Sequence, residues 1–367
     1  MKVCFISLSA YPLFQGGCSA VFGGAEVQLF NIATGIAVRD NVTVDFIVGD
    51  FGQGDQEVVK GVTLIKSVKV RQRPGFGEKA ASALRQLSAF LRSNSDIYVQ
   101  RSAGIQTGLL ALFCSVFQRR FVYMTAHEWD CDGSYVRDNG FLGKIYEWGL
   151  RHADVVITQN DKQKKDLEDN YHIHSTILKS GYDFSKIKST SKENFILWVA
   201  RLDRWKQPEI FLDLVERFPE KNFVMIAPAS GDGCYSEELR KRADGIQNLR
   251  YISGLPFQET EEYFGKANIF VNTSKFEGFP NTFIQALMHR TPVLSLSVNP
   301  DGVLEKYGVG YCANNCFESL IRYLTLLTDD KNLYEATAGN AFEYSRKYHD
   351  IKTICDQFSR IIGLHKA

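Results

Sequence analysis

The chain has 367 residues, with 43 lysines and arginines against 42 aspartates and glutamates, a net charge of +1. So even a balance excludes a protein that binds nucleic acid over its whole surface, which needs a large basic excess. Hydrophobic residues at 44% and charged residues at 23% exclude global disorder, and at about 150 residues per domain the length predicts two domains, three at most.

The opening run Met1-Lys2-Val3-Cys4-Phe5-Ile6-Ser7 reads as an apolar strand. It is too short for a secretion signal and lacks a small-residue cleavage site. No segment reaches the roughly 20 uncharged apolar residues of a membrane span; the longest, Gly108 to Phe117, ends at Gln118-Arg119-Arg120. A cytoplasmic protein is expected, with peripheral membrane contact left open. After the first strand come Gly16-Gly17 and then Gly23-Gly24-Ala25-Glu26, opening a helix predicted over 25–38. Glycines before a helix N-terminus let backbone N–H groups approach an anion; an ordinary flexible loop is the plain alternative.

Further strands are predicted at 43–48, 96–100, 121–125 and 155–158, separated by helical stretches such as 80–91 and 142–151. Short apolar strands alternating with helices indicate a parallel sheet covered on both faces. Residues 179–194 are polar and aperiodic, a linker signature. A second alternating set follows, with strands at 195–200, 222–227, 249–252, 268–271 and 292–296. The expected architecture is therefore two α/β domains of similar size, joined near residue 185, with ligands bound beyond the carboxyl ends of the strands.

Three strand ends stand out. The second set's first strand is followed by Arg201-Leu-Asp-Arg-Trp-Lys206-Gln-Pro, where a planar guanidinium and an ammonium could clamp a diphosphate; a solvated basic turn is the alternative. The strand ending at Val271 runs into Asn272-Thr-Ser-Lys-Phe-Glu277-Gly278-Phe279-Pro280-Asn281-Thr282-Phe283-Ile284-Gln285. Here a carboxylate precedes a Pro-initiated helix, whose first N–H groups, those of Asn281, Thr282 and Phe283, would face a ligand. A carboxylate beside an anion site suits a ligand bearing both hydroxyls and phosphates. Third, Ala126-His127-Glu128 follows the strand at 121–125.

Asp130-x-Asp132 invites a metal reading. The eight cysteines (4, 18, 114, 131, 234, 312, 316 and 355) are scattered and read as reduced structural thiols. Between Lys66 and Arg92 there are seven basic residues (66, 69, 71, 73, 79, 85 and 92) and one acidic, Glu78. This is either a solvated face or a patch that docks on anionic lipid.

Arg201-x4-Lys206 after a strand, Glu277-Gly-Phe-Pro with Gln285 eight positions on, the loop at Gly23-Gly24 and the phrase Ala126-His127-Glu128 together resemble family 4 of the retaining glycosyltransferases, over nearly the whole chain. The resemblance implies the GT-B fold, two Rossmann-like domains facing across a cleft. It implies too that basic side chains and a helix end stabilise a departing phosphate without a metal ion, and the metal reading of Asp130-x-Asp132 is set aside on that ground. It places an acceptor-side domain at 1–184, a nucleotide-sugar domain at 185–349, and a last helix from 350 that packs back toward the N-terminal domain. It implies that Arg201 and Lys206 neutralise the donor diphosphate, and that Glu277 accepts hydrogen bonds from donor-sugar hydroxyls. Gly278, Phe279, Pro280, Asn281 and Thr282 would line the sugar–phosphate site, Gly23 and Gly24 would sit against the phosphates and the acceptor, and His127 near the transferred sugar. The family pattern is Glu-x7-Glu; here the second position is Gln285, which resembles a subgroup with Gln there, and whose carbonyl is expected to accept a ribose hydroxyl without charge assistance.

The expected activity is transfer of a sugar, with retention, from a nucleotide-sugar to a glycan or lipid-linked acceptor in cell-surface polysaccharide or glycolipid assembly, with no metal or other cofactor and no nucleic-acid partner. The alternatives are a nucleotide-sugar epimerase or hydrolase on the same fold, and a catalytically silent partner subunit.

Overall fold

A computed structural model of the chain describes residues 1–15, 23–39, 41–69, 76–187, 190–229 and 231–364, without the side chains of 76–80, 186, 257 and 258. It divides into two compact units, Met1–Gly181 with Ile351–Ala367, and Tyr182–Asp350.

The first unit is built on β1 (Lys2–Ile6), β2 (Thr43–Val48), β3 (Gln56–Val59), β4 (Val62–Lys66), β5 (Ile97–Arg101), β6 (Arg120–Met124), β7 (Val155–Thr158) and β8 (Thr176–Ile177). Their order across the sheet is β3-β4-β2-β1-β5-β6-β7-β8. All neighbours are parallel except β3 and β4, which form an antiparallel edge hairpin. The five strands predicted for this half appear as β1, β2, β5, β6 and β7. The hairpin escapes prediction because β3, Gln-Glu-Val-Val, is half exposed and shows no apolar run. Its turn falls on Lys60 and Gly61, both at positive φ (53° and 78°), the left-handed pair that a two-residue hairpin loop demands.

Alternate side chains of each strand serve opposite faces of the sheet. Val3 and Phe5 of β1 join Phe46, Leu64 and Val99 in one core; Cys4 and Ile6 join Tyr98, Tyr123, Phe113 and Tyr146 in the other. The helix Ile351–Ile361 belongs to the first core, where Ile354 and Phe358 pack with Leu29, Ile32 and Ile36 of the helix Gly24–Ala37. Gly35 permits this approach: a Cβ there would lie 2.5 Å from the Cys355 sulfur. Arg39 adds an ion pair to Asp356 at 2.6 Å.

The second unit carries β9 (Ile196–Val199), β10 (Phe223–Ile226), β11 (Leu249–Ile252), β12 (Ile269–Asn272), β13 (Val293–Ser295) and β14 (Gly310–Cys312). All are parallel, in the order β11-β10-β9-β12-β13-β14. From β9 the chain builds outward to one edge through β10 and β11, then returns to lay β12 on the other side of β9. The order therefore reverses between β9 and β12, and the connections leaving these two strands open a crevice at their carboxyl ends. Those connections are Ala200–Gln207 and Thr273–Pro280, the two phrases singled out in the sequence.

Candidate functional site

After β9 the chain passes Arg201, makes a short 3-10 turn at Arg204–Lys206, and enters the helix Pro208–Arg217. The sharp change of direction falls on Gln207, in the left-handed region at φ 49°, ψ 52°. After β12, Thr273 and Ser274 lead to Glu277 and then to the helix Asn281–Met288, with Pro280 in the N-cap position.

Lys206 and Glu277 meet in an ion pair, both side chains largely buried (14% and 15% exposed). Glu277 Oε1 also accepts a hydrogen bond from Ser274 Oγ (2.9 Å). Behind the pair lies a run of buried polar groups at the end of an apolar strand. Asn272 Nδ2 donates to Ser274 Oγ (3.3 Å) and Asn272 Oδ1 accepts from the Ser274 N–H (3.2 Å). Trp198 Nε1 donates to Thr273 Oγ1 (2.9 Å), which in turn donates to the Lys206 carbonyl (2.7 Å). A buried donor or acceptor left unpaired costs about 1–3 kcal/mol, so this chain fixes the two connections relative to one another. Asn272, Thr273, Ser274 and Trp198 are positioning residues that the motif reading passed over. The signal was present as three consecutive polar residues, Asn272-Thr273-Ser274, at the end of an otherwise apolar strand.

Arg201 is not part of this pair. Its guanidinium lies 3.2 Å from Asp203 and is 47% exposed. Gly278, Phe279 and Pro280 are buried, and the Phe279 ring stands 5.0 Å from that of the buried His349. The Phe283 N–H, expected to be open to a ligand, is taken by the Pro280 carbonyl at 3.1 Å. One turn further in, Gln285 is 4% exposed, and its amide nitrogen has no hydrogen-bond partner among the described residues.

The remaining sequence-predicted residues belong to the first unit. Gly23 is the N-cap of the helix Gly24–Ala37, and its N–H donates to Glu26 Oε2 at 2.8 Å. A carboxylate of the chain thus already sits at this helix end. Gly16, Gly17 and Cys18 lie outside the described residues. His127 follows β6 in extended conformation and its ring stacks on Trp129, centroids 3.8 Å apart and 20° between planes. Asp130 holds this turn: its carboxylate accepts from the Ala126, His127 and Ala103 N–H groups at 2.7, 3.1 and 3.3 Å. Complete burial raises its pKa to about 6, against the lowering effect of those hydrogen bonds. Asp132 likewise accepts from the Ser134 N–H at 2.8 Å. Both carboxylates of Asp130-x-Asp132 are therefore engaged in loop geometry, and no His, Cys, Asp and Glu cluster suited to a metal occurs among the described residues.

In the basic segment, Lys66 pairs with Asp55 at 2.9 Å, an acid from outside the segment, and Arg92 donates to the Lys66 carbonyl. Arg71, Arg73 and the side chain of Lys79 lie outside the described residues. No helix among the described residues is long and apolar enough to cross a membrane.

Residues 182–344, almost all of the second unit, match the protein family described as Glycosyl transferases group 1. Among curated proteins the chain is similar to an uncharacterized glycosyltransferase of Methanocaldococcus jannaschii, 26% identical over 185 residues, 42% of this chain and 44% of that protein. It is also similar to an amylovoran biosynthesis glycosyltransferase of Erwinia amylovora, 24% identical over 57% of this chain and 64% of that protein. These matches span about half to two thirds of the relatives' own length. Among solved structures, a sucrose-phosphate synthase of Thermosynechococcus elongatus superposes with a TM-score of 0.78 at 14% identity, covering 99% of this chain and 98% of that one. At that identity the likeness is one of fold, and the fold is GT-B, as the sequence led us to expect.

Proposed function

We propose that the chain is a retaining glycosyltransferase that moves a sugar from a nucleotide-sugar to a glycan or lipid-linked acceptor, in the assembly of a cell-surface polysaccharide or glycolipid. The observation that carries this reading is the Lys206–Glu277 pair at the reversal of strand order, beside the N-terminal end of the helix Asn281–Met288 and within the residues that match a glycosyltransferase family. In this proposal Lys206, Arg201 and the helix end at Thr282 stabilise the departing nucleoside diphosphate. Cations and an aimed helix end are worth most on charge that develops as the bond to the sugar breaks. Glu277 accepts hydrogen bonds from the sugar hydroxyls, and Gln285 faces the ribose. Gly23, Gly24 and His127 serve the acceptor side and the transferred sugar. The acceptor hydroxyl attacks from the face the leaving group departs, and gives its proton to the departing phosphate. The reaction needs no metal.

Incubation with a panel of nucleotide-sugars, with and without a lipid-linked or glycan acceptor, tests the proposal. Product that forms only with acceptor, keeps the anomeric configuration of the donor and persists in excess chelator supports it. Turnover of donor alone would make the chain an epimerase or hydrolase, and loss of activity on chelation would return Asp130 and Asp132 to the reaction.

We further propose that the first unit touches an anionic membrane surface through residues 66–92 and the neighbouring helix Ile105–Val116. The helix Phe76–Ser93 exposes Leu84, Leu87 and Leu91, and the second helix exposes Leu112 and Val116. Between the two runs an apolar groove of about 300 Å³, floored by Phe90 and Phe113. Arg85 and Arg92 of the helix Phe76–Ser93 are exposed. Exposed apolar side chains and cations on one helix match the chemistry of acyl chains beneath anionic headgroups.

A further inference from the structure

The two connections that carry Lys206 and Glu277 share a second feature, which the transferase reading does not use. Each places an aromatic residue directly before its charged one, giving Trp205-Lys206 and Phe276-Glu277. The two rings lie parallel, 2° between planes and 5.4 Å between centroids. The backbone holds them there, since the Lys275 N–H donates to the Trp205 carbonyl at 2.9 Å. The Lys206 ammonium sits 3.9 Å from the centre of the Trp205 ring. A stacked pair that only filled a core would be enclosed. Here Trp205 is half-buried, with Phe276 stacked on it and the Lys206 ammonium over its ring, while Phe276 is 36% exposed, so the accessible aromatic surface next to the ion pair belongs to Phe276.

We infer that Phe276, held by its stack on Trp205, forms a platform for the pyranose ring of the transferred sugar, and that this platform helps to set which sugar the site accepts. The inference rests on the transferase reading. A pyranose carries hydroxyls around its rim and C–H groups on its faces. The rim calls for charged and polar partners, supplied here by Glu277 and Lys206. The apolar face calls for a flat apolar partner, which an aromatic ring supplies with large contact area and few rotatable bonds. Because Phe276 directly precedes Glu277, one sugar can meet ring and charge at once. A sugar whose hydroxyls project from the face that lies on Phe276 would lose that contact, which is how the ring would discriminate.

A nucleobase could also stack on these rings, and the test separates the two occupants. Wild type, Phe276→Ala, Phe276→Tyr and Phe276→Leu are titrated calorimetrically with UDP and GDP, and with UDP-glucose, UDP-galactose, UDP-N-acetylglucosamine and GDP-mannose. The expected result, for the nucleotide-sugar that wild type binds best, is a Kd about tenfold higher in Phe276→Ala, with the Kd of the bare nucleotide unchanged and with Phe276→Tyr restoring affinity. Phe276→Leu keeps apolar bulk without a flat face; it should behave as the Ala variant, and it serves in place of the Ala variant should that one unfold. Equal weakening of nucleotide and nucleotide-sugar would assign the rings to the base and overturn the inference. No change in either would overturn it too, while leaving the transferase reading intact. If wild type binds none of the six ligands, the transferase reading fails and the platform falls with it.

Discussion

Lys206 and Glu277, 71 residues apart in the chain, form an ion pair that leaves neither charge free. The cation assigned to the donor phosphates is thereby held by the carboxylate assigned to the donor sugar. A nucleotide-sugar arriving between them would replace one ion pair with two sets of charge-assisted bonds, phosphate to Lys206 and hydroxyl to Glu277. Both side chains should therefore matter to turnover. Lys206→Ala and Glu277→Ala are each expected to reduce kcat/KM by about a hundredfold or more, the usual loss when a preorganised charge contact is removed. The double variant should lose less than the product of the two, because the residues act as a unit. Initial rates of the three variants decide this, and near-wild-type turnover in either single variant would remove the pair from the mechanism.

Arg201 provides a contrast. It is about half exposed and its partner is Asp203, so its removal should leave folding stability within about 0.5 kcal/mol. Activity should nonetheless fall by about tenfold or more if the guanidinium reaches the diphosphate. Thermal melts and rates on Arg201→Ala separate the two effects; unchanged rates would leave Lys206 as the sole cation of the site.

Gln285 sharpens an expectation. The sequence pattern suggests that its carbonyl accepts a ribose hydroxyl. In the structure the side chain is buried and its amide nitrogen has no hydrogen-bond partner among the described residues. If a nucleotide acceptor completes this donor, the contact is through the N–H₂ group. Gln285→Glu removes that donor and should weaken nucleoside diphosphate binding by about tenfold. Gln285→Ala should weaken it as well, with the loss in KM more than in kcat, since the ribose is remote from the reacting carbon. If Gln285→Glu binds more tightly than wild type, the carbonyl is the contacting atom after all; if Gln285→Ala binds as wild type does, residue 285 touches no nucleotide.

The phrases around Arg201 and Glu277 could be found in the sequence because each joins an apolar strand to a helix. The pairing of Lys206 with Glu277 could not. It depends on β9 lying beside β12 with β10 and β11 passed over, and strand order is a property of the packed sheet. The buried bonds of Asn272, Thr273 and Ser274 were missed for a related reason: a polar run after a strand looks like a turn until its neighbours are known. The hairpin of β3 and β4 was missed because half of it faces water. The left-handed Gln207, which redirects the chain from Lys206 into the next helix, has no glycine to announce it.

Attraction to an anionic surface and insertion of apolar side chains can be tested separately. If the basic segment provides attraction, Arg71, Arg73 and Lys79 changed together to Gln should weaken binding to anionic vesicles, and the binding should fall as salt rises. If the apolar groove provides insertion, Leu84→Ser with Leu112→Ser should weaken binding at every salt concentration, because the loss is of apolar area. Vesicle sedimentation at low and high salt distinguishes them. Equal partition of wild type onto neutral and anionic vesicles would sink the electrostatic claim.

Lys192 gives the second unit a pH dependence of its own. Its ammonium donates to the carbonyls of Ala267 and His289 at 2.7 and 3.0 Å and to Thr291 Oγ1 at 2.6 Å. Ala267 and His289 end the helices Phe257–Lys266 and Asn281–Met288, so one cation closes the negative ends of both helices. No carboxylate accompanies it in these bonds, and burial lowers its pKa to about 7 from 10.5. Nearby His289 is lowered to about 4, by burial first and then by the Lys192 charge. The neighbouring Glu193–Lys266 pair, 2.9 Å apart, is exposed and adds little. Between pH 7 and 10.5 the unfolded chain carries the Lys192 proton and the folded chain does not, so stability rises with pH across that window. Below about pH 7 both states carry it and its contribution is constant. His289 acts in the same sense lower down, adding stability as pH rises from 4 to 6.5. Lys192→Met should abolish the upper slope, at most about 1.4 kcal/mol per pH unit, and reduce the lower one. It should also leave three acceptors without their donor, destabilising the unit at pH 10 where the wild-type amine still offers two N–H groups. Denaturant unfolding of wild type and Lys192→Met at pH 5, 7 and 9.5 measures the difference; parallel pH profiles would show that Lys192 keeps an ordinary ammonium.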